Sequence, residues 1–550
     1  MMDASTLDRS MVALHDLRRT RRRKRIAEVD WLDAAYHAYV AGILGTVVVL
    51  FLSSLVGDDD VTVSGIANVR EHGPAVIGLV AALALAAGIR SGSRGGPLAL
   101  EPAEVRLVLL SPVDRTGALR GPVLRQLRFA CFVGAVGGAV AGQLAVRRLP
   151  GAPLAWIASC AAAGVLVAMV FVGAALCAAG FRIPQRLATL LGALVVGWAA
   201  LDVAEIIPAP TSTIGSIALW PLRTEPIDLL GAVAVLALVF LGLRAIGGLS
   251  VEYAERRTSL VGQLRFAVTV QDLRTVIVLR RQLAQDRPRV KPWVRLRHVG
   301  RRLPVWRRDW EGVLRFPAAR VGRLLLLAAA TGLCVRATWE GTTPLIVVAG
   351  LAMFVAATDA FEPLAQQVDQ ADLSEALPVE TGSLLVRHLA AGTIVMLLVA
   401  LVAAAVGVLL HPSSTAFAIG AVMVVPAALT AASGGVVSIV MGAPAPAPEG
   451  NQLLPPEVAG MKIVLRAVWP VVLTMIGLAP IIVARVANDH DAGPVAAAAA
   501  VGCVGVLAAW GTGLWVRFRE ALHRAWNNLL EQSQAEQTAR AKAKSVRAAS

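Results

Sequence analysis

"LAWIASCAAAGVLVAMVFVGAALCAA", residues 154–179, runs for twenty-six positions without a charge. A helix needs about 20 such residues to cross some 30 Å of hydrocarbon, and lipid offers no partner to an unpaired backbone group, so a spanning helix is the expected form. Outward from it lie eleven more apolar blocks separated by short polar segments: 35–55, 75–89, 129–146, 187–207, 229–246, 321–335, 345–360, 389–410, 416–441, 469–486 and 495–516. With 56% hydrophobic and 16% charged residues and a mean hydropathy of +0.66, the 550-residue chain is too apolar for an ordinary soluble protein. The expected fold class is all-α: a polytopic transmembrane protein of about twelve spans, arranged as two pseudo-repeated six-helix halves.

Cationic segments beside a span tend to stay cytoplasmic. "RRTRRRKR", residues 18–25, therefore sets the N-terminus inside. If the spans alternate, only Arg70, Arg147, Arg148, Arg223, Arg336 and Arg485 of the 52 Lys and Arg residues fall outside. An even number of spans follows, with both termini cytoplasmic in the inner membrane. The net charge of +15 then reads as topology and attraction to anionic lipid headgroups, not as a nucleic-acid footprint. Cys131, Cys160, Cys177, Cys334 and Cys503 are scattered singly, without disulfide or zinc spacing. The charged first 30 residues contain no short apolar core of a cleavable signal.

The blocks divide into an N-terminal basic segment (1–34), a first membrane half (35–247), a basic cytoplasmic bridge (248–320), a second membrane half (321–517) and a basic tail (518–550). The bridge carries seventeen Lys or Arg against six Asp or Glu. Within it, residues 260–283 place apolar positions at helical spacing with arginines between them, fitting either a headgroup surface or a small soluble subdomain. Between the second and third spans of each half sits a short polar element: "LALEPAEVRLVLLSPVDRTGALRG" (98–121) and "DQADLSEALPVETGSLLVRHL" (369–389). Pro112-Val113-Asp114 aligns with Pro378-Val379-Glu380, and Gly117 and Leu119 fall near Gly382 and Leu384. A parallel duplication accounts for the shared position. Residues 101–110 open with a first-turn proline and acidic residues, as a helix N-terminus favours, and stop before Pro112. A short helix, a proline break and a return to the membrane make an elbow.

These elements resemble the membrane subunits of ABC exporters, whose six-span permeases carry a cytoplasmic elbow between spans two and three. "LLSPVDRTGALRG" is similar to that family's elbow and "EALPVETGSLLVRHL" more loosely so. "LPVWRRDWEGVLRFPAARVGRLLLL" (303–327) resembles its basic helix before the first span, with "VALHDLRRTRRRKR" (12–25) a weaker counterpart. The resemblance implies two coupling elbows that dock on two copies of a separate ATPase subunit, with contact made by Glu104, Ser111, Pro112, Val113, Asp114 and Arg115 in the first and Glu375, Pro378, Val379 and Glu380 in the second. The second elbow is the more acidic. No G-x-x-x-x-G-K-[ST] loop occurs, so no nucleotide cradle is expected and ATP would act only through the partner. No catalytic residue, directly bound cofactor or metal site is expected.

Other residues support narrower readings. Gly134, Gly138 and Gly142 recur every four positions, giving a smooth face for close helix packing. Asp202 and Glu205, three apart near the outer end of the fifth span, fall on one helix face and are candidate pathway acids for a cation or a basic substrate group, with wetted interfacial residues as the alternative. Asp359 reads as interfacial, and Arg244 and Arg323 as snorkelling to headgroups. His388 and His411, at opposite ends of one span, form no metal constellation. Two competing functions remain: an ion-coupled secondary transporter, disfavoured by nearly uncharged mid-span regions, and a membrane scaffold working through the basic bridge.

Overall fold

The computed structural model describes residues 12–13, 16, 18–20, 23–24, 31–54, 56, 61–96, 98, 100, 105, 114–252, 255, 258, 289–295, 304–369, 378–410, 412–441 and 468–549. All regular structure among them is helical. Nine of these helices are long and apolar enough to cross a membrane, or up to eleven if each of two bent pairs counts as one span. These eleven match eleven of the twelve expected blocks. The twelfth, 35–55, falls in α1 (Trp31–Ser54), which lies outside that count. The amphipathic stretch 260–283 of the bridge is outside the described residues. The chain forms two compact units, Met1–Asp272 and Leu273–Ser550.

In the first unit α1 is followed by α2 (Val63–Gly92), α3 (Arg115–Ala145), α4 (Pro153–Gly180), α5 (Gln185–Val203), the short α6 (Ser212–Ala218) and α7 (Leu229–Ala245). The opening stretch is α4. Pro153 starts it, where a missing N–H costs nothing, and it packs against α2, α3, α6 and α7. Its Ala- and Gly-rich surface explains why one helix can serve four neighbours, since small residues let backbones approach. A Cβ on Gly88 or Gly92 of α2 would collide with the carbonyl oxygens of Phe171 and Ala175 on α4. The short α6 has Ile214 to Ala218 buried. Its C-terminal carbonyl, Ala218 O, accepts from Ser159 Oγ at 3.1 Å and Cys160 Sγ at 3.5 Å, both on α4. One end carbonyl that the short helix leaves unpaired is thereby satisfied.

The third span begins far earlier than its hydropathy suggests. α3 starts at Arg115 and incorporates Arg120, Pro122, Arg125 and Arg128 before the apolar block at 129. The cause is local: Asp114 Oδ1 accepts from Thr116 N at 3.1 Å and Oδ2 from Gly117 N at 2.9 Å, pairing two of the N–H groups that a helix start leaves open. Asp114→Ala is expected to lower stability by about 1 kcal/mol, and Asp114→Asn to keep most of it. Thermal unfolding of the detergent-solubilised chain would show this as a lowered midpoint for the first variant and little change for the second.

The second unit contains α8 (Pro304–Val313), α9 (Ala318–Trp339), α10 (Leu345–Ala360), α11 (Glu362–Asp369), α12 (Thr381–Arg387), α13 (Leu389–Leu409), α14 (Ser414–Met441), α15 (Val468–Ile476), α16 (Pro480–Asp489) and α17 (Pro494–Ala549). α10 and α11 meet at 62°, and α15 and α16 at 43°. Each bend precedes a proline, Pro363 or Pro480, whose nitrogen carries no hydrogen to donate back across the break. Buried Met353, Phe361, Met396, Ala428, Val436 and Val440 form the core, with Phe361 at the first bend. Its ring occupies the space a Cβ on Gly392 of α13 would need. α17 runs 56 residues, about 84 Å at 1.5 Å per residue, and only Pro494–Leu522 is apolar enough to span.

Candidate functional site at the limbs of the two elbows

The elbows themselves are largely outside the described residues, which omit Glu104, Ser111, Pro112, Val113 and Glu375. What the structure describes is how their limbs are held. In the first unit Asp114 and Arg115 stand exposed at the start of α3. Arg18, from the N-terminal basic segment, donates from Nη2 to Ala118 O at 3.0 Å. The next residue, Leu119, is buried in an apolar cluster with Val123, Leu176 and Ile246. At the end of α4, Arg182 adopts φ +54° and its Nε donates to Gly248 O at 2.8 Å. The left-handed residue ends α4, while its side chain ties that end to the turn after α7.

The second unit carries the more developed arrangement. α8 is the basic helix before the seventh expected span. Its residues 306, 307, 310 and 311 form a polar-aromatic face, with Trp306 and Trp310 edge-to-face at 5.7 Å and Arg307 Nε 2.9 Å from Glu311 Oε1. Asp309 points the other way and is 1% exposed. It meets His388, 4% exposed, whose Nδ1 lies 2.8 Å from Oδ1 and 3.0 Å from Oδ2. One ring nitrogen thus sits within hydrogen-bond distance of both carboxylate oxygens. One residue earlier, Arg308 Nη1 donates to Gln367 Oε1 at 3.3 Å. Gln367 is on α11, the limb entering the second elbow, and His388 follows α12, the limb leaving it. α8 thus grips both limbs.

Around this grip are further charged contacts on the same unit. Arg323 Nη2 lies 2.5 Å from Asp359 Oδ2 and Arg320 Nη2 4.0 Å from Glu362 Oε2. Arg320 also stacks over Phe316 at 4.7 Å from the ring centroid. Arg323 was expected to snorkel to headgroups and Asp359 to sit at the interface; the two pair with each other, because α9 and α10 run side by side. Arg244 lies over the Phe240 ring, 4.7 Å from its centroid.

Pro378, Val379 and Glu380 lead into α12 with Val379 38% exposed and Glu380 at the cap position, its side chain bonded to no helix N–H. Behind them Gly382, Leu384 and Leu385 are buried. A Cβ on Gly382 would strike Arg517 O on α17, so the limb sits directly against the last helix. Gly134, Gly138 and Gly142 line the face of α3 that touches α4: an added Cβ would overlap the carbonyl oxygens of Gly164, Cys160 and Trp156 in turn. Asp202 and Glu205 do not share a helix face. α5 ends at Val203, Glu205 turns left-handed at φ +61°, and its carboxylate pairs with His72 Nε2 at 2.5 Å.

The Asp309–His388 pair has no local signature, since 79 residues separate its members. The nearest signal is the aspartate between tryptophans and arginines in "WRRDW", an acidic residue on what would otherwise be a cationic helix. No family model, curated protein or solved structure matches the chain.

Proposed function

We propose that this chain is the membrane subunit of an ABC-type exporter, moving its substrate across the cytoplasmic membrane with the power of separately encoded ATPase subunits. In this reading twelve spans form two duplicated halves, both termini lie in the cytoplasm, and each half presents one elbow to an ATPase. The observation that carries the reading is the way α8 holds both limbs of the second elbow, through Arg308–Gln367 on one side and Asp309–His388 on the other. A loop that transmits force needs limbs that do not yield separately. Support comes also from the first unit, where a residue of the N-terminal basic segment bonds the first turn of α3 in the corresponding place. In this reading ATP is hydrolysed by the partner, in keeping with a sequence that has no G-x-x-x-x-G-K-[ST] loop.

The test is copurification. The C-terminally tagged chain, solubilised gently from its own cells, is expected to bring down a Walker-motif ATPase, and Pro112→Asp with Pro378→Asp is expected to lose it while the membrane protein stays folded. Absence of any such ATPase with abundant folded native chain would overturn the proposal.

A further inference from the structure

At the end of the second unit away from α8, the helices α9, α10, α13 and α14 and the start of α16 line a half-open cavity of about 80 Å³. Its lining on α14 runs from Ala416 to Ala427, a depth of about 16 Å along the helix. The walls are apolar, including Val335, Met353, Ala404, Gly420 and Met423. Thr331, deep in the wall, already donates to Leu327 O at 2.8 Å, so little there would hold water, and an apolar space of this kind stays dry until an apolar group fills it.

The rim is different. Arg336 lines the cavity with its side chain 17% exposed and pairs at 2.7 Å with Glu340, which is 58% exposed. Ile481 also lines it, and Arg485, one turn further along α16, places Nη1 3.4 Å from Thr343 Oγ1 and Nε 3.8 Å from Asp489 Oδ2. Two guanidinium groups and two carboxylates therefore surround the short loop after α9. Arg336 and Arg485 are also two of only six cationic residues that the sequence places on that side of the membrane.

We propose that this cavity is a binding site for a zwitterionic membrane phospholipid. Part of one acyl chain enters between α9, α13 and α14. The phosphate meets Arg336 and Arg485, and the ammonium meets Glu340 and Asp489. The apolar depth lies within helices of membrane-spanning length and the charges lie at their ends, which is the order in which a phospholipid presents tail and head. A soluble anion would use the rim but not the depth. The site requires that the helices span a bilayer and is independent of the export proposal.

The probe is phosphatidylethanolamine with a photoreactive group on one acyl chain, added at increasing mole fraction to vesicles of phosphatidylglycerol, which lacks the ammonium, holding the full chain. Labelling of peptides 331–339 and 416–423 is expected to saturate, while that of lipid-facing α5, around Leu190 and Leu194, rises in proportion. Gly420→Leu fills the cavity, since even a Cβ there lies 3.0 Å from Val408 Cγ2, and should weaken apparent affinity at those peptides about tenfold. Arg336→Gln should raise the half-saturating mole fraction. Non-saturating labelling of the native chain at all three places overturns the site whatever the variants do. Equal competition by a free fatty acid, with no effect of Arg336→Gln, overturns the phospholipid assignment.

Discussion

His388→Ala is expected to lower stability by about 3–5 kcal/mol, the cost of leaving a buried carboxylate without its partner. Asp309 has 1% of its surface exposed, so water cannot replace the imidazole unless α8 lifts from the bundle. Asp309→Ala should cost less, about 1–3 kcal/mol, because a histidine left alone can stay neutral and forfeits one hydrogen bond. The double variant should be no worse than His388→Ala, and Asp309→Leu with His388→Phe should recover part of the loss, since a well-packed apolar pair often equals a buried polar one. The measurement is a double-mutant cycle on thermal unfolding in detergent. If the single losses simply add, the two side chains are not coupled and α8 does not grip the elbow through them. In the exporter reading the same variants should also reduce ATPase copurification, because the limb after the second elbow loses its anchor.

The parts of this architecture visible in the sequence are those where one physical requirement dominates. The 26-residue uncharged run that became α4 had a single acceptable fate in lipid. The period-four glycines on α3 were legible because glycine at helical spacing leaves a flat face, and α4 occupies it. What escaped depended on competition between terms. The start of α3 was hidden because hydropathy weighs Arg115, Arg120, Pro122 and Arg125 against a span, whereas helix formation there needed only the Asp114 cap. The end of α5 was hidden in the opposite way: Ile206 and Ile207 continue the apolar run, but the backbone has already turned at Glu205. The bends at Pro363 and Pro480 were not read from the sequence, where the block 469–486 runs straight through Pro480, and the direction in which each chain resumes is set by tertiary packing. The grip of α8 on the elbow was hidden for the same reason, since neither Asp309 nor His388 signals a partner 79 residues away.

Gly138→Leu should have a still larger effect than loss of the buried pair, and its neighbour provides the control. In α3 a Cβ on Gly138 would overlap Cys160 O and press on Ala161 Cα, both backbone atoms of α4 that no rotamer change can move. Gly164 on α4 is reciprocal, with no room for a Cβ against Gly134 O. Even Gly138→Ala is overpacked and should cost about 1–3 kcal/mol. Leucine forces the two helices apart along much of their length. In lipid that separation is not resisted by a hydrophobic effect, because the exposed faces are as well solvated by acyl chains as by each other; close packing holds the pair, and close packing is what the substitution removes. The chain should therefore fail to reach its folded, monodisperse form in detergent. Gly137→Leu, one position along the same helix where nothing lies within 4 Å of an added Cβ, should behave like the native chain, and should even gain from replacing glycine by a better helix former. Size-exclusion profiles and unfolding midpoints of the two variants side by side give the answer. Indistinguishable behaviour would mean that α3 and α4 do not meet along the glycine face, and the packing of the first unit described above would have to be abandoned.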